Sequence, residues 1–130
     1  MSREINEFLA GRRFAVLGAS QTSHKVGNSI VADLVKKGYS VYVVHPSADE
    51  IDGHKCYASL AELKGMVDGV ILCIPPEKAL PVVEAAAQAG ISRLWLQEGS
   101  ESLEVLAAAY AAGMSVVVNR CIMMYTRDIS

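Results

Sequence analysis

Five short segments of this chain are apolar on successive residues rather than alternating ones, and no other feature limits its fold so strongly. RFAVLGA, SVYVVHP, DGVILCIP, RLWLQEG and SVVVNRC are rich in Val, Ile or Leu throughout. A strand with one face in water alternates apolar and polar positions. A strand covered on both faces does not, and that is the habit of parallel sheets flanked by helices. Helical patterns separate these runs. Val26, Ile30, Val31, Leu34 and Val35 share one face of a helix that KKG ends with a basic turn and a glycine. Residues 77–89 repeat the pattern up to Gly90, and Pro81 places the helix start near Lys78, where the ring falls in a first turn. Residues 102–112 form a third helix closed by Gly113, residues 59–63 a short helical turn, and Arg3–Leu9 a helical lead-in. Strand, helix, strand with brief links defines an α/β fold: one doubly wound, five-stranded parallel sheet with helices on both faces.

Length sets a single domain over residues 1–130, with its core across about 13–125. With 52% of residues apolar, the chain has the material for a packed core. The formal charge of −2 is spread along the chain, and no basic tract marks a nucleic-acid footprint. MSREINEFLAGRR is too charged for a signal peptide, and no apolar run nears the roughly 20 residues that span a bilayer. Cys56, Cys73 and Cys121 are spaced too widely for a disulfide framework or a zinc pattern. The expected setting is cytoplasmic and soluble.

The first strand-to-helix loop holds the chemistry. In an open α/β sheet, ligands bind beyond the carboxyl ends of the strands where strand order reverses, and the first βα turn walls that crevice. Here the turn is GASQTSHKVG. Gly18 ends the strand, and Ala19 and Ser20 are small enough for close backbone approach. N–H groups at the following helix start attract anions. Ser20, Thr22 and Ser23 add hydroxyls, and His24 and Lys25 add positive charge. The same loop also reads as an ordinary capped helix start, and on its own it leaves both readings open. It is neither GxGxxG nor a Walker loop. An NAD site usually needs an Asp or Glu at the tip of the second strand, and NADP an Arg. This tip is His45 and Pro46, with Asp49 and Glu50 several residues further on.

The strand tips together resemble one family, the small stand-alone coenzyme A-binding proteins, whose Rossmann-like domain is similar to that of the succinyl-CoA synthetase alpha subunit. The matching segments are VLGAS, GYSVYVVHP, IDGHKCYASLAEL, VDGVILCIPPEKA, RLWLQEGS and GMSVVVNRCIMMY, from about Phe14 to Tyr125. The resemblance implies coenzyme A lying across the carboxyl edge of the sheet. Gly18, Ala19, Ser20, Gln21, Thr22, Lys25 and Val26 would then meet its phosphates. Pro46 and Ser47 would line the adenosine side, and Ile74, Pro75 and Pro76 would make an apolar wall. Gln97, Glu98 and Gly99 would close the far side near the pantetheine arm. The family often has Asn before the second-strand proline and a basic residue after it, where this chain has His45 and Ser47. The 3′-phosphate then falls to Lys25, His24 or Lys55.

The remaining chemical residues have plainer roles. Cys73 reads as a small core residue and Cys56 as half-buried, while Cys121 lies at the carboxyl edge within reach of a CoA thiol, where a mixed disulfide is the alternative reading. His24, His45 and His54 lack metal-ligand spacing, so no metal is expected. Trp95 is expected to pack beneath a helix, and Glu98 has neither a nucleophile nor a matched partner near it. The phospho-accepting histidine of the synthetase relatives lies in a further domain. The expected function is therefore non-catalytic binding of CoA or an acyl-CoA. The alternatives are an NAD-type enzyme or redox regulator, and an interaction subunit with a vestigial nucleotide site. Partners implied are the small ligand and either a second copy or an acyl-CoA enzyme, with no nucleic acid or membrane. The apolar CIMMY segment reads equally as cover for a sheet edge or as a dimer contact.

Overall fold

The computed structural model describes residues 2–130. A helix α1 (Arg3–Leu9) leads into β1 (Arg13–Leu17), α2 (Val26–Lys36) and β2 (Ser40–Val44). A small hairpin of β3 (Glu50–Ile51) and β4 (His54–Tyr57) follows, then a 3-10 turn at Leu60–Leu63. The rest of the chain is β5 (Gly69–Leu72), α3 (Pro76–Gln88), β6 (Arg93–Leu96), α4 (Leu103–Ala111), β7 (Ser115–Val118) and a second 3-10 turn at Ile122–Met124. The sheet order is β3-β4-β2-β1-β5-β6-β7, and every pairing except β3 with β4 is parallel.

Seven strands rather than the expected five make this sheet, and the extra two are the hairpin. Its turn is Asp52-Gly53, with φ of 50° and 81°. Positive φ at both central residues is the type I′ geometry, which matches the right-handed twist of the flanking strands. Glu50 and Ile51 pair with Lys55 and His54, and β4 then joins β2 through Val43 with Cys56 and Val44 with Tyr57.

The unbroken apolar runs have a direct cause. Ala15 and Leu17 of β1 bury toward α3 and α4, together with Val70, Leu72, Leu94 and Leu96 of the neighbouring strands. Phe14 and Val16 bury toward α1 and α2, together with Ile71, Trp95 and Val117. Both faces of the sheet are thus covered. Trp95 lies beneath α1, edge-on to Phe8 at 5.3 Å between ring centres, and its indole N–H donates to the Arg120 carbonyl at 2.7 Å. The CIMMY segment covers the α1–α2 face rather than an edge: Ile122 is fully buried, Met123 and Tyr125 pack against the core, and Met124 is exposed. Lys37 fixes this tail with bonds from Nζ to the Met123 carbonyl at 2.9 Å and Thr126 Oγ1 at 3.0 Å.

Two helical expectations are corrected. Val26 and Val35 are 56% and 43% exposed, and the buried side of α2 is instead Gly27, Asn28, Ile30, Val31 and Leu34. Helix α3 starts at Pro76, so Pro81 lies in the second turn and not the first. Pro76 at the first helical position is preorganised to start it, and Pro81 leaves the Glu77 carbonyl without its usual donor.

Asp68, just before β5, ties the start of that strand to β1. Its carboxylate accepts from the N–H of Arg12 at 2.9 Å and of Arg13 at 3.0 Å, and pairs with Arg13 Nη2 at 2.8 Å. The hydrogen bond from the Arg13 side chain does most to lower its pKa, which falls to about 2. A carboxyl depressed on folding stabilises the protein above its unfolded pKa of about 4, and that stability is lost as pH falls toward the folded value. Asp68→Asn should therefore cost about 1 kcal/mol at neutral pH, a figure already reduced for solvent screening. The loss should shrink between about pH 4 and pH 2, as followed by urea unfolding across that range.

Candidate functional site

Strand order reverses at β1, which pairs with β2 on one side and β5 on the other. The crevice therefore opens at the carboxyl ends of β1 and β5. Two glycines shape it. Gly18 has φ of +121°, and a Cβ there would sit 2.6 Å from Cys73 Cβ and closer still to the Cys73 carbonyl oxygen. A Cβ at Gly27 would sit 2.5 Å from the Gly18 carbonyl carbon and 2.6 Å from the Ala19 nitrogen. The first turn of α2 thus rests directly on the end of β1. Both glycines are required by the fold before any ligand is considered.

The loop between them is organised by Asn28, a residue the sequence reading passed over. Its side chain is buried and accepts at Oδ1 from the N–H of Ser20 at 2.9 Å and of Lys25 at 3.2 Å. Its Nδ2 donates to the Ser20 carbonyl at 2.9 Å and to Asp52 Oδ2 at 2.9 Å. Asn28 is the third residue of α2 and reaches back to the residue before the helix, the returning half of a capping box. An Asn three residues into a helix behind a small-residue loop was the available signal. Ser20 Oγ accepts from the N–H of Thr22 at 3.2 Å and of Ser23 at 3.3 Å, and Gln21 Nε2 donates to the Glu50 carbonyl at 2.8 Å. The N–H groups of Val26 and Gly27 have no protein acceptor among the described residues and form the positive end of α2.

Two compartments share this junction. One, of about 610 Å³, runs from Gly18, Ala19 and Ser20 past His45 and Pro46 to the apolar side of α3 at Pro81, Val82 and Ala85. The other, of about 570 Å³, runs from Val26 and Gly27 past Gln97, Glu98 and Gly99 to Asn119 and Cys121. Lys25, Cys73, Ile74 and Pro75 line both. Of the residues expected at the site, Gly18, Ala19, Ser20, Lys25, Val26, Pro46, Ile74, Pro75, Gln97, Glu98 and Gly99 lie on these walls. Gln21, Thr22, Ser47 and Pro76 do not; the first two brace the loop, and Pro76 begins α3. Ser47 gives its N–H, at 3.2 Å, to His45 Nδ1, which also accepts from the Ala48 N–H at 2.9 Å. The imidazole thus holds the turn after β2 by accepting backbone N–H groups, as an Asn side chain does.

Behind the walls, Ser100 is buried and ties two strand ends together, donating to the Leu72 carbonyl at 3.0 Å and accepting from the Ile74 N–H at 3.1 Å. Gln97 Oε1 accepts from the Ile122 N–H at 2.8 Å, while its Nε2 has no protein acceptor among the described residues. The cations sort clearly. Lys25 and Lys78 line the compartment of about 610 Å³, and Lys25 also lines the other. His24 is bonded to Ser29 Oγ at 2.7 Å, and Lys55 lies 4.9 Å from the centre of the Tyr57 ring. Burial, followed by the proximity of Cys121, pushes the Cys73 thiol up to about 12. No group of three His, Cys, Asp or Glu able to hold a metal occurs among the described residues.

An open α/β domain with an anion-attracting helix start between two compartments is the architecture of a nucleotide-binding protein. The chain belongs to the CoA binding domain family, whose profile it matches over residues 12–127. It is 34% identical over 90 residues to an ADP-forming acetate–CoA ligase of Archaeoglobus fulgidus, covering 68% of this chain and 13% of the ligase. The chain spans only 11–19% of the length of the larger synthases and ligases that it matches. An uncharacterised Bacillus subtilis protein, YneT, is 28% identical with 92% of this chain and 89% of its own length covered. A conserved hypothetical protein from Pyrococcus furiosus has a solved structure of TM-score 0.84 at 43% identity, covering 88% of this chain and 99% of that one.

Asn28→Ala removes the four bonds made by that side chain and strands the N–H groups of Ser20 and Lys25. It should destabilise the protein by about 2 kcal/mol in chemical denaturation. Amide exchange should accelerate across residues 19–25 and not in β6 or β7. The Cys73 thiol should resist iodoacetamide in the folded protein at about pH 8 and react after unfolding, as peptide mass mapping would show.

Proposed function

We propose that this chain binds coenzyme A, free or acylated, and does no chemistry on it. The observation that carries this reading is the pair of compartments meeting under the α2 N-terminus at Lys25, Ile74 and Pro75. Coenzyme A is a ligand of that shape: an adenosine, a diphosphate in the middle and an amide-bearing arm. The adenine ring suits the apolar compartment of Pro46, Leu60, Pro81 and Val82. The diphosphate suits the N–H groups of Val26 and Gly27 beside Lys25. The arm then runs past Ile74 and Pro75 toward Gln97, whose amide nitrogen can donate to it, and ends near Cys121.

Lys78, on the first turn of α3, suits the 3′-phosphate better than His24 or Lys55, which are engaged elsewhere. Asp49 and Glu50, the acids that could take a nicotinamide nucleotide's ribose, belong to the hairpin side and line neither compartment. The half-buried Cys73 thiol, with its pKa pushed up by desolvation, supports a binding rather than a nucleophilic role.

Calorimetric titration of the purified protein with CoA, dephospho-CoA, NAD and ADP tests this. CoA should bind tightest, ahead of dephospho-CoA, with NAD weakest. Lys78→Ala should weaken CoA by about tenfold, or 1.4 kcal/mol, and leave dephospho-CoA almost unchanged. A preference for NAD would instead favour a dinucleotide enzyme. No heat with any of the four would leave a docking role as the better account.

A further inference from the structure

β7 is the last strand of the sheet, and no strand lies beside its outer edge among the described residues. Its register decides which backbone groups face outward. Ser115 pairs with Arg93, and the Ser115 N–H donates to the Ser92 carbonyl at 2.8 Å. Alternate residues of a parallel strand bond the same neighbour, so Ser115 and Val117 face β6. Val116 and Val118 therefore direct their N–H and C=O groups to the open side. No turn or side chain takes up these groups among the described residues.

The two edges of the sheet are finished differently. At the far edge, β3 is two residues long, begins with the exposed Glu50 and ends in the tight Asp52-Gly53 turn. Short length and an edge charge are the usual devices against further strand pairing. β7 has neither: it reads Ser-Val-Val-Val, with no charge, proline or bulge.

We propose that β7 is a homodimer edge, at which two copies pair these strands antiparallel about a two-fold axis beside Val117. In that register Val116 of each copy lies opposite Val118 of the other, and each such pair exchanges both of its hydrogen bonds. The two sheets become one continuous sheet. The charges along the edge favour a second copy of this chain as the occupant. A groove of about 350 Å³ at the carboxyl end of β7 is lined by Glu4, Ile5, Arg120 and Tyr125. Another of about 640 Å³ at the amino end is lined by Arg3, Glu4, Glu7, Arg93 and Tyr110, with Glu7 paired to Arg3 at 3.2 Å. Neither Glu4 nor Arg120 has an ion-pair partner among the described residues. A two-fold axis reverses the strand direction. It carries Arg120 of the second copy to the amino end, where Glu4 is unpaired among the described residues, and makes the reciprocal contact at the same time. Tyr110, 60% exposed at that end, is covered by the same approach.

Sedimentation equilibrium over micromolar concentrations should show a dimer. Val116→Pro removes an outward N–H at an edge position where proline is tolerated, and should raise the dimer dissociation constant at least about tenfold with the circular dichroism unchanged. Glu4→Arg should weaken the dimer, and adding Arg120→Glu should restore it. In the unsubstituted protein, the Val116 and Val118 amides should exchange faster on dilution, a readout that does not depend on any variant folding. A wild-type monomer whose Val116 and Val118 exchange ignores concentration would overturn the proposal. So would a dimer that is indifferent to both Val116→Pro and the charge reversals.

Discussion

The contact on which the rest depends is backbone against backbone, at Gly18, Gly27 and Cys73. Because neither glycine has a Cβ, α2 begins in direct contact with the end of β1, and the end of β1 lies against the turn after β5. This closeness places the free N–H groups of Val26 and Gly27 over the point where strand order reverses. It also brings Lys25, Cys73 and Ile74 to the shared wall of both compartments. A side chain at Gly27 would push α2 away from the end of β1, and one at Gly18 would push that strand end away from Cys73, so the helix start would no longer sit over the crevice. The site is thus a consequence of how one strand and one helix pack, with few side chains needed to make it.

Asn28 makes that junction specific. Buried polar groups are costly unless paired, and this amide pairs on both its oxygen and its nitrogen with the loop it encloses. Its further bond to Asp52 ties the loop to the turn of the β3–β4 hairpin. The hairpin is therefore more than an edge extension: it holds the β1–α2 loop from the outside, and Gln21 adds a second tie to Glu50.

Much of the architecture was legible because burial leaves a periodic trace. The five core strands, the lead-in helix Arg3–Leu9 and the capped helix after Ser102 were all visible as apolar spacing bounded by glycine or serine. The hairpin was not, because a two-residue strand is too short to show a period, although the Asp-Gly pair inside it was a turn signal. Pro81 misled because a single proline can sit in a second helical turn at modest cost once Pro76 has set the start. The glycine-flanked loop, Pro46, Ile74, Pro75 and Gln97 were legible as strand tips. Asn28 and Lys78 were not, since each sits where a helix normally shows water a polar side chain. His45 looked like a departure from the resembling family, yet its Nδ1 accepts the same kind of backbone bonds that an Asn would.

Charge has to act locally in this molecule. The chain carries a formal −2, so its overall field does not draw in an anion. The proposed coenzyme A, with its diphosphate and phosphomonoester, would have to be held by groups within a few ångströms, the start of α2, Lys25 and Lys78. Both lysines are exposed at the rim of the compartment of about 610 Å³, so each charge acts at short range and is partly screened by water. The same placement spares the rest of the molecule a basic patch. The proposed anion site thus needs no broad positive surface of the kind that would also attract nucleic acid.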